Sequence, residues 1–229
     1  MITLYDYELS GNCYKIRLFL DILGQPYEKR PVEFFPGLEH KSEEMLVLNP
    51  LGQLPFLDDD GYLIRDAQAI LAYLALRYVP GSHWYPVAHA RRLGEVCQWL
   101  AFASELTATS SAARLQQVFG FDIDADKARR GAYQLFRILD EHLWLAERGI
   151  ADEGSGWLCS GAQPTIADIA CFPYVMLAPE GGLSLTDFPA LRRWTDRVKR
   201  IPGFTVMSGV FPASPSRNEL PTEHGAILM

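Results

Sequence analysis

Two polar side chains and a thiol crowd the amino end of the chain, in the run Leu9-Ser10-Gly11-Asn12-Cys13-Tyr14-Lys15-Ile16-Arg17. Apolar residues then recur at Ile16, Phe19, Leu20 and Leu23, the spacing of one helix face, and Gly24 follows as a stop. Ser10 and Asn12 therefore fall at a helix entrance, where unpaired N–H groups and the positive dipole end favour an anion. A thiolate is such an anion. A free thiol titrates near pKa ~8.5 and is mostly protonated at neutral pH, yet only the ionised form attacks. Each unit of depression corresponds to about 1.4 kcal/mol, which one or two hydrogen bonds to the charged sulfur supply. A serine hydroxyl and an asparagine amide both donate without carrying charge. Both are also good helix caps, so the short motif alone fits capping equally well. Cys13, at the first turn, is expected to pack inward beneath a sheet, as free cysteines commonly do.

A second chemical signal is Asn49-Pro50-Leu51-Gly52-Gln53-Leu54-Pro55-Phe56-Leu57, followed by Asp58-Asp59-Asp60-Gly61. Pro55 opens a short apolar strand and carries no donor, which marks an edge, a first strand residue or a bulge. An X–Pro bond is also where a cis peptide is cheap. A cis Leu54-Pro55 bond is expected to turn the Leu54 N–H and C=O outward, free to pair with an extended peptide ligand.

The elements that must position these residues follow from periodicity. Residues 2–6 alternate as a strand, and residues 26–32 supply a second. A short helix is expected near residues 42–48. Residues 55–57 and 62–64 flank Asp60-Gly61 as a hairpin. Residues 66–78 form a helix capped by Asp66, with Ile70, Leu71 and Leu74 inward. Beyond about residue 86 no strand pattern survives. Helical stretches are expected over 88–118, 124–148, 165–178 and 188–200, broken at Gly120, Gly154-Ser155-Gly156 and Glu180-Gly181-Gly182. Pro164-Thr165-Ile166-Ala167-Asp168 reads as a capping box, and Asp168 is assigned that structural role.

Taken with this element order, the Ser10-Gly11-Asn12 entrance and the Leu54-Pro55 loop resemble the glutathione S-transferases. The likeness is to the serine-type group, with theta, zeta and related bacterial members, over roughly residues 1–205. It implies an α/β thioredoxin-like domain over 1–79, βαβ-α-ββ-α with a mixed four-stranded sheet. An all-α domain over 87–229 would follow. It further implies glutathione as co-substrate, its sulfur held by Ser10 and Asn12 and its cysteinyl backbone by Leu54 and Pro55. His40, Lys41 and Gln53 would hold the glycyl end. Asp66 and Ala67 would hold the γ-glutamyl end, where the family usually has Glu or Gln followed by Ser. Ala67 lacks that hydroxyl, although its N–H at a helix start can still meet a carboxylate. Phe102, Glu105, Leu106 and Thr109, recurring at helical spacing, would line an electrophile pocket, or equally form helix–helix core or a subunit contact, and the tail from Pro202 (Phe204, Met207, Phe211) would cover the pocket. A homodimer is implied as well.

Composition sets bounds on partners. The 229 residues are 48% hydrophobic with net charge −7, and no basic cluster stands out, so a nucleic-acid partner is not expected. No apolar run approaches the ~18 residues of a membrane span, and no secretory signal is evident. The four scattered cysteines make no metal-ligand spacing with the histidines. No metal, nucleotide or flavin motif occurs, and the cytoplasm is the expected location. The leading expectation is conjugation of glutathione to an apolar electrophile. The alternatives are glutathione-dependent disulfide or peroxide reduction, and a non-catalytic binding or dimerisation module.

Overall fold

The computed structural model describes residues 1–150 and 155–208. Strand β1 (Ile2–Asp6) buries alternate side chains, Ile2 and Leu4 among them, so it must be covered on that face. It pairs in parallel with β2 (Tyr27–Pro31), Ile2 opposite Tyr27, and antiparallel with β3 (Phe56–Asp59), Tyr5 opposite Phe56. Strand β4 (Tyr62–Arg65) closes the hairpin, giving a mixed sheet in the order β2-β1-β3-β4. Leu54-Pro55 is cis, as the sequence led us to expect, and Phe35-Pro36 is cis too.

Helix α1 (Gly11–Leu23) starts at Ser10, whose hydroxyl oxygen accepts the Cys13 N–H at 3.2 Å. It stops at Gly24, at φ 62°, a left-handed cap that a side chain rarely tolerates. Its apolar face, with Ile16, Phe19 and Leu20 fully buried, packs on α3 (Ala67–Tyr78) and on α7 (Ile166–Met176) of the helical half. Ile70, Leu71 and Leu74 of α3 are all inward. Between β2 and β3 lie a 3₁₀ turn (Glu39–Lys41) and α2 (Glu43–Leu48), capped by Ser42.

The second half is helical: α4 (Ala90–Leu106), α5 (Ala112–Phe119), α6 (Ala125–Glu147), α7 and α8 (Pro189–Val198). Helix α7 is apolar all round, hence buried, and touches α1, α3, α4 and α8. Its start is the expected capping box. The Asp168 carboxylate accepts the Thr165 and Leu158 N–H groups and the Trp194 indole N–H, at 2.8–3.1 Å. Fully burying a side chain such as Phe172 of this helix is worth about 1.5–3 kcal/mol.

The long helix expected over 88–118 is not continuous. A π turn over Thr107–Ser111 divides it. The Thr107 and Thr109 hydroxyls donate back to the carbonyls of Ala103 (3.0 Å) and Glu105 (2.7 Å), a habit that loosens the i→i−4 ladder. The turn shifts the phase of the helix downstream of it, in α5.

Candidate active site

A cavity of about 290 Å³ opens where the start of α1, the Leu54-Pro55 loop, the π turn and α7 converge. Ser10 and Asn12 form one wall. Because the Ser10 oxygen is occupied as an acceptor by Cys13 N–H, its own proton remains to be donated. Asn12 spends its backbone N–H on the Tyr174 hydroxyl at 3.2 Å, and its side-chain oxygen lies 3.5 Å from the Thr107 hydroxyl. The amides of residues 12 and 13 are therefore taken. An anion here would meet the two side-chain donors and the helix dipole, with no acidic residue in the first turn of α1 to oppose it.

The loop leading to Ser10 is held by two buried guanidinium groups. From α1, Arg17 pairs with Asp6 and donates to the Glu8 carbonyl at 2.8 Å. From α5, Arg114 donates to the Leu9 carbonyl at 2.7 Å and to the Glu180 carboxylate at 2.5 Å. Gly11 is required beside them, since a Cβ there would stand 2.6 Å from Cε1 of Tyr174.

Cys13 does not line the cavity. It is fully buried with Val32, Met45 and Phe56 beneath the sheet, and its sulfur accepts the Tyr7 N–H. Burial, and secondarily the Asp6 charge, push the thiol up to about 12.

Of the positions expected to hold glutathione, Gln53 and Leu54 line the cavity. The Gln53 carbonyl is fixed by the Asn49 amide at 2.8 Å. His40 is set back, stacked at 4.3 Å on Phe34, which does line it. Burial and then the Lys41 charge lower the His40 imidazolium, so the ring is neutral at neutral pH, and its Nδ1 is buried without a partner among the described residues. Lys41 is exposed and leans on the Leu51 carbonyl. Pro55 is buried and does not line the cavity. Asp66 holds a positive φ of 78°, unusual for a residue with a side chain, and its carboxylate caps α3 through the Gln68 and Ala69 N–H groups, both at 3.0 Å. Ala67 is buried at the start of that helix.

The four positions expected at the electrophile side lie outside this cavity. Phe102 packs edge-on against Trp99, Leu106 is in the core, and Glu105 is exposed. Thr109 points toward Gly131 of α6. Thr107 and Ser111 of the π turn and Arg114, Leu115 and Phe119 of α5 line it. Phe204 and Met207 of the tail pack on the core, and the Thr205 carbonyl accepts the Tyr14 hydroxyl. Phe211 and the rest of the tail lie outside the described residues.

Comparison with known proteins decides the family. The description "Glutathione S-transferase, N-terminal domain" matches residues 4–82, and "Glutathione S-transferase, C-terminal domain" matches residues 103–202. The chain belongs to the glutathione S-transferase family. It is 30% identical to a maleylacetoacetate isomerase of Pseudomonas aeruginosa, over 89% of this chain and 93% of that one. It is 29% identical to human glutathione S-transferase theta-2, over 82% of each. A glutathione S-transferase from Pseudomonas fluorescens Pf-5 superposes with a TM-score of 0.80, at 30% identity over 90% of this chain and 98% of that one. The serine-type resemblance read from Ser10 is consistent with this company. Within the family frame, among the described residues no group of three or more His, Cys, Asp or Glu could hold a metal ion. No described helix is long and apolar enough to cross a membrane.

Proposed function

We propose that this member of the family conjugates glutathione to apolar electrophiles, with the glutathione sulfur ionised against Ser10 and Asn12. The observation that carries the reading is the convergence of these two neutral donors and the positive end of α1 on one wall of a cavity. The opposite walls carry Phe34, Leu54, Leu115 and Phe119, surfaces suited to an apolar co-substrate. In this reading Leu54 pairs with the cysteinyl backbone, with Pro55 behind it. His40, Lys41 and Gln53 take the glycyl end, His40 as a neutral donor. Asp66 and the Ala67 N–H take the γ-glutamyl end. The enzyme's contribution is then activation of the nucleophile and proximity. It works as a homodimer in the cytoplasm on the same reading.

The test is Ser10→Ala, assayed with an aryl halide, a disulfide and an organic hydroperoxide. Conjugation at neutral pH is expected to fall about tenfold, the loss of ionised sulfur that one pKa unit brings, while calorimetric binding of glutathione survives. Unchanged conjugation rates would count against the mechanism. Preference for the disulfide or hydroperoxide would place the chemistry on sulfur or oxygen, and no heat with millimolar glutathione would reduce the chain to a scaffold.

A further inference from the structure

Tyr174 is assigned no role by the reading above, yet its surroundings are unusual. It stands on α7, buried, and lines the cavity beside Asn12. Its oxygen accepts the Asn12 N–H at 3.2 Å. The neighbouring Ser111 hydroxyl, which also lines the cavity, is the side chain within reach of the phenol. The phenol stays protonated at neutral pH: burial pushes it up, and the Ser111 hydroxyl, the Arg114 guanidinium and the Asn12 amide only partly offset that.

The ring is held from behind. The Gly11 backbone lies against one edge, close enough to exclude any side chain there. The Lys15 ammonium stands 5.1 Å from the ring centroid, on a residue with no exposed surface, and Nζ has no hydrogen-bond partner among the described residues. A buried ammonium without an ion pair is costly, so its position against this one ring calls for a reason. A cation against the π face draws electron density from the ring and makes the O–H a better donor.

We propose that Tyr174 is a second catalytic residue, its phenol O–H donating to the oxygen that gathers negative charge when the thiolate adds to an α,β-unsaturated carbonyl compound. This rests on the thiolate reading above. In the step, the sulfur lone pair forms the S–C bond at the β carbon. The C=C π pair shifts toward the carbonyl, whose oxygen becomes the enolate. The α carbon then takes a proton from water, and Tyr174 keeps its own throughout. A preorganised donor favours the state in which the charge has formed. The flat walls offered by Phe34 and Phe119 suit a planar conjugated substrate. Lys15 acts through the ring and is a positioning residue.

The experiment compares Tyr174→Phe with wild type on a conjugated enone and on a benzyl halide, at saturating glutathione, with the pKa of the bound thiol followed in parallel. The substitution keeps the ring, the Gly11 contact and the cation beneath. The enone-to-halide ratio of kcat is expected to fall about tenfold to a hundredfold, a ratio in which any change of thiol pKa from freeing the Asn12 N–H cancels. Lys15→Met, which keeps the hydroxyl, is expected to lower the same ratio by a smaller factor. An unchanged ratio in both variants would overturn the proposal. Wild-type protein that gives no thiolate signal with glutathione would remove the transferase reading itself. A thiolate signal with an indifferent ratio would remove only the role of Tyr174.

Discussion

Arg114 of α5 donates to the carbonyl of Leu9, 105 residues earlier in the chain and next to Ser10. One guanidinium of the helical half thus fixes the backbone that presents the candidate nucleophile-holding residue. Its other bond goes to Glu180, a carboxylate with one oxygen buried and without a partner among the described residues.

Arg114→Met is expected to destabilise the fold by about 3–5 kcal/mol, since it leaves Glu180 as a buried uncompensated charge. Adding Glu180→Gln should recover much of the stability by chemical denaturation. Conjugation should stay depressed in the double variant, because the Leu9 carbonyl is still unheld. Recovery of activity together with stability would show that the arginine serves the fold alone.

Cys13 is expected to be chemically silent. With its thiol pushed up to about 12 by burial, Cys13→Ala should conjugate at close to the wild-type rate. In native protein treated with a limiting alkylating reagent, mass spectrometry should find Cys97, which is exposed, labelled first. Early labelling of Cys13 with parallel loss of activity would contradict its placement.

Lys15 should leave a mark on the pH dependence of stability. Burial lowers its ammonium to about 8, because the charged form is the one that loses its water. The unfolded chain, near pKa ~10.4, therefore binds that proton more tightly. Below about pH 8 the native state carries the full cost of the buried charge, and the cost fades as the pH rises toward about 10. Lys15→Met is expected to be more stable than wild type at pH 7, on the order of 3 kcal/mol, with the gap closing toward about pH 10. Denaturation curves across that window check it. A gap independent of pH would show that the native amine titrates as it does in the unfolded chain, with no shift from burial.

The parts of the site legible in the sequence are those whose chemistry is local. Ser10 shows itself because a cap residue and its helix are adjacent, and Pro55 because a proline constrains its own bond and strand. The sheet and α1 to α3 were readable for the same reason, through runs of alternating or 3.6-period apolar residues. Tyr174 and Arg114 were not legible, since they meet Asn12 and Leu9 across 162 and 105 positions. The break in the helix expected over 88–118 was not legible either: the π turn over Thr107–Ser111 interrupts it, and of the four expected positions only Thr109 lies within that turn. The run Thr107-Ala108-Thr109-Ser110-Ser111, poor in helix formers and rich in hydroxyls that compete for backbone carbonyls, was the available sign.

The central claim is that neutral donors at the start of α1 hold a sulfur anion, and the thiol pKa of bound glutathione tests it most directly. Titrating the ultraviolet absorbance of the thiolate in the complex should give a value below the ~8.5 of a free thiol in wild type. Ser10→Ala and Asn12→Ala should each raise it, by about one unit. A bound thiol that titrates as it does in free solution, or that ignores both substitutions, would contradict the account.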